Sequence, residues 1–184
     1  MPAWANHRKV TGRSYRDYVQ QEIAAPVGAT SLEIAGNTIA DRLKDEVAYY
    51  GVDGQNPYGV NASRMDAHGG WVATPTDLLR IAVLYDGFPQ PQDRLRPEVL
   101  AQMVAASSAN ENYAKGWSVN RHHNWWHTGS LPGTGAILVR ASNGHCWAVL
   151  VNTRSTKPGF FKALDQLPWK IVRGVKRWPK LQVR

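Results

Sequence analysis

Trp126-His127-Thr128-Gly129-Ser130-Leu131-Pro132-Gly133-Thr134 combines a polar triplet with a glycine-rich strand start ahead of a β-hairpin. Glycine within a strand lets another backbone come close, and a side chain at Gly129 is expected to fill that space. Thr128 offers a hydroxyl to a carboxylate or carbonyl. The segment reads as a substrate-binding strand edge made of His127, Thr128, Gly129 and Ser130.

Outward from this stretch the apolar period is two. Gly116 to Arg121 and Trp125 to His127 are expected as strands around the polar turn His122-His123-Asn124. Ala136 to Ala141 and His145 to Asn152 follow as two more, joined at Ser142-Asn143-Gly144, where Asn-Gly is a strong hairpin signal. The result is an antiparallel meander. After Pro158, Leu164, Leu167, Ile171, Val175 and Trp178 recur at three- and four-residue steps, giving a terminal helix whose apolar stripe covers the sheet. Pro168 should open or kink a second helical segment.

Toward the N-terminus, Ser14 caps a short amphipathic helix carrying Tyr15, Tyr18, Val19 and Ile23, which Pro26 and Gly28 stop. Thr30 to Arg64 has no clear period and is expected as short strands and irregular loop. Gly69-Gly70 then precedes a helix with Thr74 as N-cap, Pro75 at its first position and Asp77 in its first turn. Another helix starts at Pro97. The fold class is therefore α/β of the α+β type, an antiparallel sheet flanked by helices. It is expected as one domain over 1–184, with 1–110 mainly helices and loops and 111–184 antiparallel strands and a terminal helix.

The triplet segment, the Gly69-Gly70 helix start and the stretch from Thr11 to Thr30 together resemble the serine β-lactamase and penicillin-binding-protein-like superfamily. The likeness is to the branch of class C β-lactamases, D-aminopeptidases and esterases. It covers nearly the whole chain and implies the C-terminal portion of a β-lactamase/transpeptidase-like fold, lacking the N-terminal part. It further implies acyl transfer on a small-molecule ester, amide or β-lactam-like ligand, with no cofactor. His127, Thr128, Gly129 and Ser130 are then catalytic-site residues: the strand lies beside the nucleophile, and the backbone N–H of Ser130 helps form an oxyanion hole. His127 stands where lysine is usual, and imidazole is largely uncharged at neutral pH, so the resemblance leans toward ester or amide hydrolysis.

The family's Ser-x-x-Lys nucleophile and Tyr-x-Asn proton shuttle do not occur in these residues. Two alternatives follow: a catalytically inactive ligand- or peptide-binding remnant, or a fragment completed by a partner chain. Sheet edges exposed by missing N-terminal strands would favour a homo-oligomer or pairing with a complementary N-terminal fragment. Trp125 and Trp126 flank the triplet closely enough for one to line a substrate pocket.

Composition excludes several classes. At 43% hydrophobic and 20% charged, the 184 residues make a globular core rather than a disordered chain. A single cysteine, Cys146, excludes an intrachain disulfide and reads as a buried, inert thiol. No apolar run is long enough to span a membrane, and Met1 to Lys9 has basic residues without the apolar stretch of a secretory signal. As written this suits the cytoplasm, although the superfamily is often exported, and the compartment stays open.

The net charge of +8 belongs wholly to the segment from Arg154 to Arg184, where nine basic residues face Asp165 alone. With Trp169 and Trp178 this run could suit nucleic acid or an anionic membrane, but a solvated helix face accounts for it better and neither partner is favoured. His122, His123, His127 and His145 with Cys146 have zinc-ligand chemistry. Their strand-and-turn spacing sends His122 and His123 to opposite sides, so no metal is expected.

Overall fold

A computed structural model describes residues 3–178. Of the basic run, Lys180 and Arg184 lie outside the described residues. Helix α1 (Ala3–Thr11) ends at Gly12, whose φ of 69° turns the chain. Ser14 then caps α2 (Tyr15–Tyr18), its hydroxyl accepting from Asp17 N at 3.1 Å. The expected amphipathic helix continues at changing pitch, through a π-helical turn (Val19–Ala24) and a 3-10 turn (Ala25–Val27), to Gly28 at φ 67°. Pro26 has no N–H for the carbonyl four residues back. Arg94 supplies the missing donor instead, its Nη1 donating to the Glu22 carbonyl at 2.7 Å. Val19, Ala24, Ala29 and Leu32 form a core here, with Tyr15, Ile23 and Trp71 against it.

Between Thr30 and Arg64 the chain is mostly irregular. Strand β1 (Glu33–Ile34) pairs antiparallel with β2 (Trp71–Val72), and α3 (Ala62–Met65) lies between them in sequence. Helix α4 (Pro75–Ala82) begins as its caps dictate, with Thr74 Oγ1 accepting from Asp77 N at 3.1 Å. Asp77 is 3% exposed and ties this helix to the 30–32 loop. Its carboxylate accepts from Ser31 N at 3.0 Å, from the Ser31 hydroxyl, and from Arg80 Nη1 at 2.9 Å. Burial works to raise its pKa, but these donors outweigh burial and the net shift is downward. Helix α5 (Pro97–Val104) starts at Pro97 as expected.

Strands β3 (Ser118–Val119), β4 (Trp125–Leu131), β5 (Thr134–Ala141) and β6 (His145–Val151) form the antiparallel meander, in spatial order β3-β4-β5-β6. The Asn143-Gly144 turn has Gly144 at φ 89°. Two strands differ in extent from the expectation. β3 is only two residues long because the Asn120 side chain accepts from His122 N at 3.0 Å and Asn124 N at 3.2 Å, drawing the chain into the turn early. β4 runs past His127 to Leu131, since β5 pairs with it at every position from Trp125↔Arg140 to Leu131↔Thr134.

Helix α6 (Phe160–Gly174) covers one sheet face and α4 lies against β6 on the other. Ile137, Val139, Ala141 and Trp147 are buried under α6 by Leu164, Trp169 and Val172. Leu164 of the expected stripe packs on the sheet as foreseen, but Leu167 and Ile171 do not, being 53% and 50% exposed. Two interleaved rows at three- and four-residue steps exist on this helix. The row holding Trp169 wins because its ring meets Trp147 edge-on, centroids 4.6 Å apart, and an indole buries more area than leucine. Pro168 sits buried inside a continuous helix and does not open a new one. Val175 and Trp178 follow the helix end.

On the α4 side, Arg140 is sandwiched between Phe88 and Trp125, at 4.1 and 4.0 Å from their ring centres. It donates to Asp86 O at 2.7 Å and His123 O at 3.1 Å. Cys146 is half-buried and free, its thiol pKa pushed up to about 12 by burial. The architecture is a mixed α/β fold of antiparallel sheets with flanking helices.

Candidate functional site

β3 pairs with β4 only at Ser118↔Trp126 and Val119↔Trp125. From His127 onward β4 therefore has, among the described residues, a paired neighbour on the β5 side alone, and His127, Thr128, Gly129 and Ser130 are all exposed. At about 3.4 Å per residue, these four residues offer on the order of 13 Å of strand edge. Their side chains do not converge. Alternation places Thr128 and Ser130 on the α6 side with Trp126, and His127 on the other with Trp125. What the four share is the backbone edge.

Each is held differently. His127 Nε2 lies 3.3 Å from the Tyr113 hydroxyl, with the two rings edge-on at 68°. Ser130 Oγ accepts from Arg154 Nη1 at 3.1 Å, and Arg154 Nη2 donates to Gln55 Oε1 at 3.0 Å. Among the described residues no carboxylate lies within ion-pair distance of Arg154. The Thr128 hydroxyl makes no hydrogen bond to a described residue. A Cβ on Gly129 would stand 3.3 Å from that of Ala136, so its absence relieves a contact with β5 rather than with open cleft.

Tyr113 and Arg154 escape a reading of the letters. The only clue to Tyr113 is that the hairpin around His122 folds 113–119 back beside the start of β4. Neither tryptophan lines a pocket at the triplet: Trp125 is 7% exposed beneath Arg140, and Trp126 packs into the α6-side core. Ser107, a serine near the strand in sequence, has its Oγ accepting from Asn110 N at 3.0 Å, and Lys115, the nearest lysine in sequence, donates from Nζ to Ala105 O at 3.0 Å. His122 bonds with Arg121, and His145 lies beside Asn143 and Trp178. Among the described residues no three His, Cys, Asp or Glu side chains are grouped to hold a metal ion, and no helix is long and apolar enough to cross a membrane.

Beyond Ser130 the strand end walls a cavity of about 110 Å³, with Leu131 and Pro132 on one side and Glu46, Tyr49, Tyr58 and Trp71 on the other. Gly133, at φ 77°, lets the β4–β5 turn lie against the loop carrying Tyr49 and Pro57; a Cβ there would clash with Pro57 Cβ. Glu46 is 9% exposed. Burial and the neighbouring Glu46 carboxylate push the Tyr49 phenol above its ordinary pKa.

The family model described as Beta-lactamase matches residues 6–167. No curated protein matches the chain. A solved structure described as the crystal structure of SurE with D-Leu is similar with a TM-score of 0.63 and 17% sequence identity, over 97% of this chain and 43% of that one. That likeness is one of fold, and the chain spans less than half the length of the structure it matches. With the model match running from before the Ser14 cap into α6, the chain belongs to the β-lactamase family, within the serine β-lactamase and penicillin-binding-protein-like superfamily.

Proposed function

We propose that this chain carries the substrate-binding strand of an acyl-transfer hydrolase acting on esters, amides or β-lactam-like compounds. The observation that carries this reading is the run of four consecutive exposed residues, His127 to Ser130, in a strand paired on one side only. An extended ligand can add to such an edge through main-chain hydrogen bonds. In this reading the Ser130 N–H contributes to the oxyanion hole, the Thr128 hydroxyl meets a substrate oxygen, and His127 occupies the usual lysine place. Arg154, always charged, supplies a cation beside Ser130. The serine and its base come from polypeptide outside these residues, in the same or a partner chain.

A second reading is a non-catalytic ligand-binding domain. It is favoured by the fact that no serine hydroxyl among the described residues is hydrogen-bonded to a lysine amine or histidine ring. A fluorophosphonate serine probe, with turnover of a nitrophenyl ester and a chromogenic cephalosporin, tests the two. His127→Ala serves as control. No labelling and background turnover are expected of these residues alone, and His127-dependent turnover is expected once the polypeptide bearing Ser-x-x-Lys is added. Labelling of the isolated chain overturns the second reading and, in the first, the placing of the serine outside these residues. Ligand-induced stabilisation that never becomes turnover in the completed assembly leaves the second.

A further inference from the structure

Glu46 is a buried carboxylate with no cation on it. It faces the cavity beyond Leu131, its Oε2 accepting from Leu43 N and its Oε1 from the Tyr49 hydroxyl, both at 2.9 Å. Among the described residues no Lys, Arg or His lies within ion-pair distance of it; Arg42 turns its Nη1 to the Glu46 main-chain oxygen at 3.0 Å instead. Buried charges are normally paired. Two donors also leave lone pairs on an ionised carboxyl group, which has about four acceptor sites.

The cavity walls add to this preference. Tyr49 and Tyr58 meet at 60° with centroids 6.0 Å apart, and Trp71, whose ring also packs against Tyr15, is a further lining residue. Aromatic faces are the negative part of the ring quadrupole, so they attract cations as the carboxylate does. Arg42 opposes, but it is exposed and screened by water, whereas Glu46 acts from a poorly solvated position.

We propose that this cavity binds a primary ammonium group borne on a small apolar body, the ammonium at Glu46 and the body against Tyr49, Tyr58 and Trp71. Its wall continues directly from Ser130 through Leu131, so the cavity selects the cationic end of a ligand lying on the β4 edge. Ammonium binding itself requires no hydrolysis, and its test is independent of the acyl-transfer reading.

The isotope-labelled full chain is titrated with benzylammonium, benzyl alcohol and benzoate at matched ionic strength, following the indole signal that Trp71→Phe removes. Benzylammonium is expected to saturate with an affinity about tenfold above that of benzyl alcohol, and benzoate to bind weakest. Glu46→Gln should erase the tenfold preference, and Arg42→Gln should preserve or increase it. Should Glu46→Gln fail to fold, the ligand ranking in the native chain and in Arg42→Gln decides. Preference for benzoate, equal binding of all three, or no saturable shift overturns the proposal.

Discussion

The Tyr113 hydroxyl stands 3.3 Å from His127 Nε2, so this exposed imidazole on the β4 edge has its hydrogen-bond partner outside its own strand. Tyr113 is 38% exposed, and removing its hydroxyl opens no cavity. Tyr113→Phe should change stability by no more than about 0.5 kcal/mol. It should nevertheless alter the tautomer balance of His127, read from its ring nitrogen shifts. Unchanged shifts would mean that the two groups do not bond in solution.

Arg154 reaches across the end of the sheet to Ser130 and Gln55, both neutral acceptors, with no carboxylate on it among the described residues. As an anion contact at the strand edge, it predicts that Arg154→Ala weakens binding of N-acetylalanine about ten- to a hundredfold, a charge-assisted hydrogen bond being worth roughly 1.5–3 kcal/mol. Binding of the corresponding methyl ester should change little. Equal losses for acid and ester would assign Arg154 to holding the strand rather than to reading charge.

Local chemistry made much of the fold legible. The caps at Ser14 and Thr74, the helix start at Pro97 and the Asn143-Gly144 hairpin each depend on a few neighbouring residues, and each forms as the letters require. Non-local choices were not legible. Which row of α6 faces the sheet depends on the Trp147–Trp169 contact, and the length of β3 depends on the Asn120 side chain. The candidate site divides in the same way. His127 to Ser130 stand out as a motif, but Tyr113 and Arg154 join them from 14 and 24 residues away, and Glu46 lies in a segment with no period at all.

Asp77 should govern part of the acid sensitivity. Its pKa is lowered on folding by the Ser31 and Arg80 donors, which outweigh burial, so its stabilisation is present above the ordinary carboxylate value and lost as pH falls through the folded one. Asp77→Asn should cost about 1–3 kcal/mol at pH 7 and flatten the decline of stability toward acid. Urea midpoints across that range provide the check, and an unchanged slope would place the acid sensitivity elsewhere.

Asp86 has the opposite sign. It is 2% exposed, and burial, reinforced by Asp93, raises its pKa against the Phe88 N–H and Arg140. Its contribution is therefore fully present below the ordinary carboxylate value and lost as pH rises through the raised one. Asp86→Asn keeps an acceptor for Phe88 N, now 2.8 Å away, while removing the charge. It should be neutral or stabilising at pH 7, and the gain should vanish in acid. Destabilisation at pH 7 would show that the ionised form is needed by Arg140.

The two rows of α6 give the clearest separation of packing from pattern. Trp169 meets Trp147 over the sheet, whereas Leu167 and Ile171 face outward on the neighbouring row. By spacing alone the two rows are equivalent, so sequence periodicity assigns no difference between them. Packing does: Trp169→Ala should lose about 3 kcal/mol through lost burial and the cavity left behind. Leu167→Ala and Ile171→Ala should each stay within about 0.5 kcal/mol. Chemical denaturation of the three variants measures this directly. A large loss at Leu167 or Ile171 would mean that another surface covers this row in solution, and self-association measured on the same samples would identify a second copy of the chain as that surface.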